Sequence, residues 1–500
     1  MEAVWMVVTD WIGTPALTWA RRIRAGEVSR QELIETALAE IDRQNPQLNA
    51  VITTRREKAL AEAAAQKDTG QPFLGVPLLL KGLGQQLQGE PSTSGSTLLT
   101  TNVASQTSFF VRALQHAGFI IIGQTNFPEF GFKNITDAKL YGPAHNPWNL
   151  DYQPGGSSGG AGAAVAAGLV PIAAGSDGGG SIRIPSSWSG TIGLKPTRGR
   201  VPVGPSDWRS WQGAAIDFAL TRSIADTAAL LDSLQTLQPA AVFQTPLERS
   251  GFFAQLDQPV HPGVIGFTTE SPVGTPVSPE AVQAVQDAVT FLREQGFAVE
   301  EIHNPIDGVA LMESYYTMNA GETAAFMTEL AASLGRTLTA DDMELLTWAL
   351  YQTGKQTSAA DYSLALSKWD QAAWQMAQLH ATYPIILTPT TAWPAPKVGD
   401  PLVSASDAAK MAEITTMRPA AQKQLIYDQW LPALTRSPFT QQANLTGEPA
   451  ISLPTAVTAA GLPLGIQFNA AKGQELILLR LGALFERAGK LKWLHATKLD

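Results

Sequence analysis

Two glycine-rich stretches carry serines close enough along the chain to share one site. The first is Gly155-Gly156-Ser157-Ser158-Gly159-Gly160; one helix of small residues later comes Ser176-Asp177-Gly178-Gly179-Gly180-Ser181-Ile182-Arg183-Ile184-Pro185. A serine hydroxyl is a weak nucleophile at neutral pH and needs a base that removes its proton as it attacks. His116, His145, His261, His303, His380 and His495 belong to no shared motif, whereas Lys81 ends the apolar run Val76 to Leu80. A lysine acts as a base only where desolvation or nearby cations lower its pKa, and the end of a buried strand is such a place. Lys81, Ser157 and Ser181 are therefore expected to form a Ser-Ser-Lys hydrolytic centre.

The glycines add a second function. Gly178, Gly179 and Gly180 lack a Cβ, so the backbone before Ser181 can turn its N–H groups into one concavity and stabilise an oxyanion. Ser181, at the end of that nest, is the expected nucleophile. Ser157 taken alone reads as a helix N-cap; with Lys81 it reads as a relay that passes the proton of Ser181 to the amine and returns one to the leaving group. Gly155 to Gly160 also satisfies the G-x-S-x-G nucleophile elbow, but His145 to Pro154, with two prolines and several polar residues, is a poor central strand to precede it. No Gly-Lys-Ser/Thr follows, which argues against a phosphate loop.

The elements that must position these groups are legible as alternating strands and helices. Gly75 to Lys81 reads as a turn into a wholly apolar strand buried on both faces, with Lys81 at its end. A helix over Ser29 to Ile41 carries a Ser29/Glu32 capping box and ends at Asn45-Pro46. A helix over Phe109 to Ala117 precedes a strand at Phe119 to Gly123. Val264 to Phe267, a helix capped by Ser278 with Pro279 at its first turn, and a strand at Phe297 to Ile302 give a β-α-β unit. Residues 305–378 are helical in pattern and rich in aromatics, namely Tyr315, Tyr316, Trp348, Tyr351, Trp369 and Trp374, which read as core. Strands at 385–387, 450–453 and 464–468 and a closing helix at 474–488 complete an α/β protein.

Hydrophobic residues make up 44% of the 500 residues and charged residues 16%, the balance of a folded globular chain rather than a disordered one. The net charge of -9, with basic residues scattered, argues against a nucleic-acid partner. The chain has no cysteine, which excludes disulfides and thiolate catalysis. The apolar run Met1 to Val8 reads as a packing segment rather than a signal sequence, and no stretch is long and apolar enough to span a bilayer, so a cytoplasmic location is expected.

With these residues in view, the chain resembles the amidase signature family of serine hydrolases. The resemblance rests on 155–160, on 179–185 and on Gly193-Leu194-Lys195-Pro196-Thr197. It extends to Gly75-Val76-Pro77, Asn126, Pro128-Glu129, Asn444 to Ala450 and Gly461-Leu462-Pro463. It implies one α/β domain over 1–500 with a central mixed β-sheet covered by helices, a signature core at 70–200 and a variable, mostly helical substrate side at 305–440. It further implies Ser181 as acyl-forming nucleophile, Ser157 as a bridging serine on a cis peptide, Lys81 as base, an oxyanion hole from the amides of Gly178, Gly179, Gly180 and Ser181, and neither metal nor cofactor. The stretch Tyr315 to Gly354 looks most like the branch containing 6-aminohexanoate cyclic dimer hydrolase, which suggests small, uncharged amides.

Three departures from the family pattern stand out. Gly82 replaces a frequent acid, which would ease formation of neutral lysine or loosen its placement. Gly178 replaces a bulkier residue, which would leave the oxyanion loop more flexible; Ser189 stands where cysteine is common and reads as packing. The expected partners are a small amide and, at most, a second copy of the chain. Alternative readings are the A-type subunit of a glutamine-dependent aminoacyl-tRNA amidotransferase, a carbamate or ester hydrolase of the same fold and, last, a binding protein on a decayed scaffold. Trp188, Trp208, Trp211 and Asn319 are candidates for the pocket lining.

Overall fold

The wholly apolar run that ends at Lys81 becomes a strand with all five residues buried, Pro77–Lys81, and the Ile-rich run after the Phe109–His116 helix becomes its parallel neighbour, Ile120–Thr125. A computed structural model describes residues 11–261 and 263–494; the Met1 to Val8 run and His495 lie outside the described residues. In chain order the strands are β1 (Val51–Thr54), β2 (Pro77–Lys81), β3 (Ile120–Thr125), β4 (Ala173–Asp177), β5 (Ile192–Lys195) and β6 (Ile216–Thr221). There follow β7 (Val264–Phe267), β8 (Ala298–Glu301), β9 (Ile385–Pro389), β10 (Ala450–Val457) and β11 (Pro463–Ala470). Among the described residues they form one mixed sheet in the order β1-β3-β2-β4-β6-β5-β10-β11-β9-β7-β8. The chain is a single α/β domain.

The topology puts Lys81 and the loop leading to Ser181 on the same side of the sheet. β2 pairs with β4 in parallel, so both strands end on the same side, Lys81 closing one and Asp177 the other. The helix Gly159–Ala166, buried along its whole length, packs on β4 and returns the chain from the first serine loop to the second. Its small residues also let it lie against the chain just after β3: a Cβ on Gly160 would stand 2.4 Å from the backbone nitrogen of Asn126.

Local expectations are met at most elements. Ser29 and Glu32 form the capping box, and Ser278 caps the helix Pro279–Glu294 with Pro279 in its first turn. Pro46 does not end its helix, which runs Arg30–Leu48 before Asn49 turns left-handed. Proline's missing N–H removes one bond near the helix end, and the Asn49 N–H still reaches the Asn45 carbonyl at 2.8 Å. The aromatic region folds as the helices Gly308–Leu334, Leu345–Lys355 and Ala359–Thr382. Trp374 does not join the core and is 67% exposed, whereas Trp369 on the same helix is 3% exposed. No helix among the described residues is long and apolar enough to cross a membrane.

Candidate active site

Lys81 Nζ lies 2.7 Å from Ser157 Oγ and 2.8 Å from Ser176 Oγ, fully buried at the end of β2. Burial pushes the amine down from its ordinary value to about 7, against the opposing fields of Asp217 and Asp177. Ser157 is not the cap of the helix it precedes: Ser158 holds the N-cap position, without a side-chain cap, and the Gly156–Ser157 peptide is cis. The Ser158 N–H donates to the Ser181 carbonyl at 3.1 Å, tying the two serine loops together. Ser158 Oγ accepts from the Ser176 N–H and donates to the Ser176 carbonyl, both at 3.2 Å, fixing β4 against the first loop.

The loop before Ser181 is braced by charge. The Asp177 carboxylate accepts from the Gly180 N–H at 2.7 Å, from the Ile182 N–H at 3.2 Å and from Arg183 through a two-pronged ion pair at 2.9 Å. Asn444 donates to both the side chain and the carbonyl of Asp177 at 2.8 Å. Burial alone would raise this carboxyl, but Arg183 and Asn444 prevail and hold it well below the usual carboxylate range. The Gly180 N–H is therefore committed to Asp177; those of Gly178, Gly179 and Ser181 have no protein acceptor among the described residues. The carbonyls of Gly178 and Gly179 accept from Tyr315 Oη at 2.9 Å and Thr440 Oγ1 at 2.8 Å, which fixes the orientation of those two peptides.

The departures at Gly82 and Gly178 have steric causes. A Cβ at Gly82 would stand 2.4 Å from the Phe127 ring, and one at Gly178 would stand 2.7 Å from the indole of Trp211. The Gly178 backbone is thus packed under an indole and bonded to Tyr315, not loosened as its lack of a side chain suggested. Ser189 Oγ donates to the Pro154 carbonyl at 2.8 Å, a packing role.

Ser181 opens into a pocket of about 60 Å³ walled by Phe132, Trp211, Tyr315, Tyr316, Asn319 and Trp430. Gly131, on the same wall, has its α-hydrogen side toward Ser157: a Cβ there would stand 3.2 Å from Ser157 Oγ. Glu129, buried, accepts from the Glu344 N–H at 2.9 Å and from Thr347 Oγ1 at 2.5 Å, anchoring the loop of Phe130 to Asn134 on the helical region. Lys133 reaches the pocket but is paired with Asp137 at 2.6 Å and Glu344 at 2.7 Å. Of the candidate lining residues, Trp211 and Asn319 face the pocket, whereas Trp188 is fully buried against Trp393 and Trp208 packs on Phe109. None of the described histidines lines this pocket.

Sequence reasoning did not single out Ser176, Gln85 or Asp217 around Lys81, nor Tyr315 and Thr440 around the loop of Gly178 to Gly180. Ser176 could have been found, since it stands one residue before Asp177 on a strand whose end must face Lys81. The others come from distant elements with no spacing to betray them.

Residues 32–479 match the model of the family described as Amidase. The chain belongs to the amidase signature family. It is 52% identical over 491 residues to lipoamidase of Enterococcus faecalis, an alignment that takes in 98% of this chain and 65% of that protein; the chain thus spans less than two thirds of that relative's length. It is 33% identical to 6-aminohexanoate-cyclic-dimer hydrolase of Paenarthrobacter ureafaciens, covering 96% of this chain and 95% of that one. The structure of 6-aminohexanoate cyclic dimer hydrolase complexed with substrate superposes with a TM-score of 0.87 at 32% identity, over 97% of this chain and 98% of the other. As a member of the amidase signature family, the chain is an amide hydrolase acting on carbon–nitrogen bonds.

Proposed function

We propose that this amidase cleaves uncharged amides with an extended apolar acyl chain, lipoamide-type compounds first, through an acyl-enzyme on Ser181. The observation that carries the mechanism is the 2.7 Å approach of Lys81 Nζ to Ser157 Oγ in a buried site joined by backbone to Ser181. Ser181 Oγ attacks the substrate carbonyl carbon while its proton passes to Ser157 Oγ and the Ser157 proton passes to neutral Lys81. The N–H groups of Gly178, Gly179 and Ser181 receive the oxyanion, each worth about 2.7–4 kcal/mol of barrier, with Gly180 bound to Asp177 as the brace. Collapse breaks the C–N bond, the amine leaving with a proton from Ser157 as Lys81 returns one to it. Water repeats the sequence to free the acid.

The substrate reading is supported by the wall of the pocket. Its rings are apolar, and its one lysine is neutralised by Asp137 and Glu344, so no free cation awaits a carboxylate. Tyr316 also borders a second cavity of about 400 Å³, but Glu313, Asp361, Lys368 and Lys423 on its wall make it a polar one, so the apolar chain is assigned to the first pocket. The higher identity to lipoamidase than to 6-aminohexanoate-cyclic-dimer hydrolase sets the order of expectation.

The test is steady-state turnover of lipoamide, octanamide, 6-aminohexanoate cyclic dimer and glutamine, with Ser181→Ala and Lys81→Ala alongside. Either substitution should cut kcat by at least about 10³-fold. A charged Lys81 cannot accept a proton, and its amine titrates near 7, so kcat/KM should rise with pH through about 7 as one group loses its proton. Preference for glutamine would return the amidotransferase reading, and retained turnover in either variant would remove the roles assigned.

A further inference from the structure

When Lys81 takes the proton of Ser157 it becomes an ammonium in a site with no water-like solvation, and a buried charge is costly unless another charge faces it. Its contacts, Ser157 Oγ and Ser176 Oγ, are neutral, and the next residue, Gly82, has no side chain. Asp177 is nearby but is held by Arg183 on both oxygens. One acid remains.

Asp217 is the register partner of Ser176 in the antiparallel pair of β4 and β6. Directly opposed residues project to the same face with Cβ atoms about 4.5–5.5 Å apart, so the carboxylate stands one side chain beyond the hydroxyl that touches Lys81. Gln85 fastens the two ends together. Its Oε1 accepts from the Lys81 backbone N–H at 2.8 Å, and its Nε2 donates to Asp217 Oδ1 at 3.1 Å and to the Gly175 carbonyl at 2.8 Å.

We propose that Asp217 is the counter-charge of Lys81, a positioning residue aimed by Gln85 that stabilises the ammonium formed during acyl transfer. This rests on Lys81 being the base. The charged groups that bear on the pair are Asp177 with its partner Arg183, at the end of β4, and Asp207, in the loop before β6. Burial pushes the Asp217 carboxyl up to about 6, while Gln85 and Lys81 pull it back toward the ionised form and Asp207 adds to the rise.

The experiment is the rate at which a fluorophosphonate labels Ser181 as a function of pH, in the full chain and in Asp217→Asn, Asp217→Ser and Asp217→Glu. Losing the negative charge lowers the pKa of Lys81, so the acid limb of the profile should move to lower pH by about one unit in the two uncharged variants. In Asp217→Glu it should stay near the wild-type position. The serine variant, smaller than the native side chain, guards against a folding defect peculiar to the amide. A limb unmoved in a folded uncharged variant, with the unaltered chain labelling normally, overturns the role of Asp217. Failure of the unaltered chain to label at all overturns instead the assignment of Ser181 and Lys81 on which it rests.

Discussion

Around Asp177 the site is held by directed bonds between charges and peptides, whereas the wall opposite Ser181 is held by rings packed on rings. Asp177, Arg183, Asn444 and Gln467 form one buried network in which Arg183 reaches Gln467 at 2.8 Å and Asn444 at 2.6 Å. On the other side Tyr316 stacks on Trp430 with centroids 4.4 Å apart, and Trp211 lies parallel to Phe132 and edge-on to Tyr315. Directed bonds fix the orientation of the peptides before Ser181, and on the proposed mechanism an ångström there matters to the barrier. Ring packing fixes a volume, and volume can change without disturbing the loop that carries Ser181. The two regions should therefore fail differently when substituted.

The largest failure is expected on the polar side. Arg183→Met leaves the Asp177 carboxylate buried and unpaired, which should cost about 3–5 kcal/mol in chemical denaturation and abolish turnover together with it. Its pH signature has a definite sign. The folded carboxyl lies below its unfolded value, so its stabilisation is complete above about pH 4 and is lost only as the pH falls toward the depressed folded value. An Arg183→Met protein as stable as the parent would mean that the network is not what holds the Ser181 loop.

A smaller and more selective effect is expected on the aromatic side. Tyr316 lines both the Ser181 pocket and the neighbouring 400 Å³ cavity, so Tyr316→Ala removes a ring from the boundary they share and widens the Ser181 pocket. The ratio of kcat/KM for a long-chain amide over acetamide should rise by a few-fold to about tenfold, the scale that one or two methylenes command in a hydrophobic pocket. The acid limb of the pH profile should not move, because Lys81 lies outside that wall. Equal losses for long and short substrates would make the ring part of the catalytic machinery rather than a boundary of the pocket.

The two regions also differed in how far the sequence disclosed them. Lys81, Ser157 and Ser181 stand out in the sequence through rare combinations, a lysine at the end of an apolar run and serines among residues without a Cβ, and the structure sets Lys81 against Ser157. β2, β3, β7 and β9 to β11 were legible for their apolar runs, whereas β4, with Ala173-Ala174-Gly175-Ser176-Asp177, carries no strand signal and is made a strand by its neighbours. The commitment of the Gly180 N–H to Asp177 was hidden because a carboxylate three residues away reads equally well as a turn. Asp217 and Gln85 were hidden because their partnership exists only once β4 and β6 pair. The wall was legible as helix but not as pocket: a period of 3.6 says which residues face inward, not which of them face a cavity.

Trp374 sharpens that last point, and it is where the smallest effect is expected. It was read as core with its aromatic neighbours, but on the helix Ala359–Thr382 it falls on the outer face, five residues beyond Trp369, whose Nε1 donates to Ser314 Oγ at 3.0 Å. An indole that is 67% exposed has little area to lose, so Trp374→Ser should change unfolding free energy by less than about 0.5 kcal/mol and leave kcat/KM for every amide in the panel unaltered. Single apolar side chains at a surface are ordinary, and nothing in the fold makes this one a partner of the site. A fall in activity on its removal, at unchanged stability, would instead extend the aromatic wall to the outer face of that helix and break the division between a polar frame and a replaceable lining.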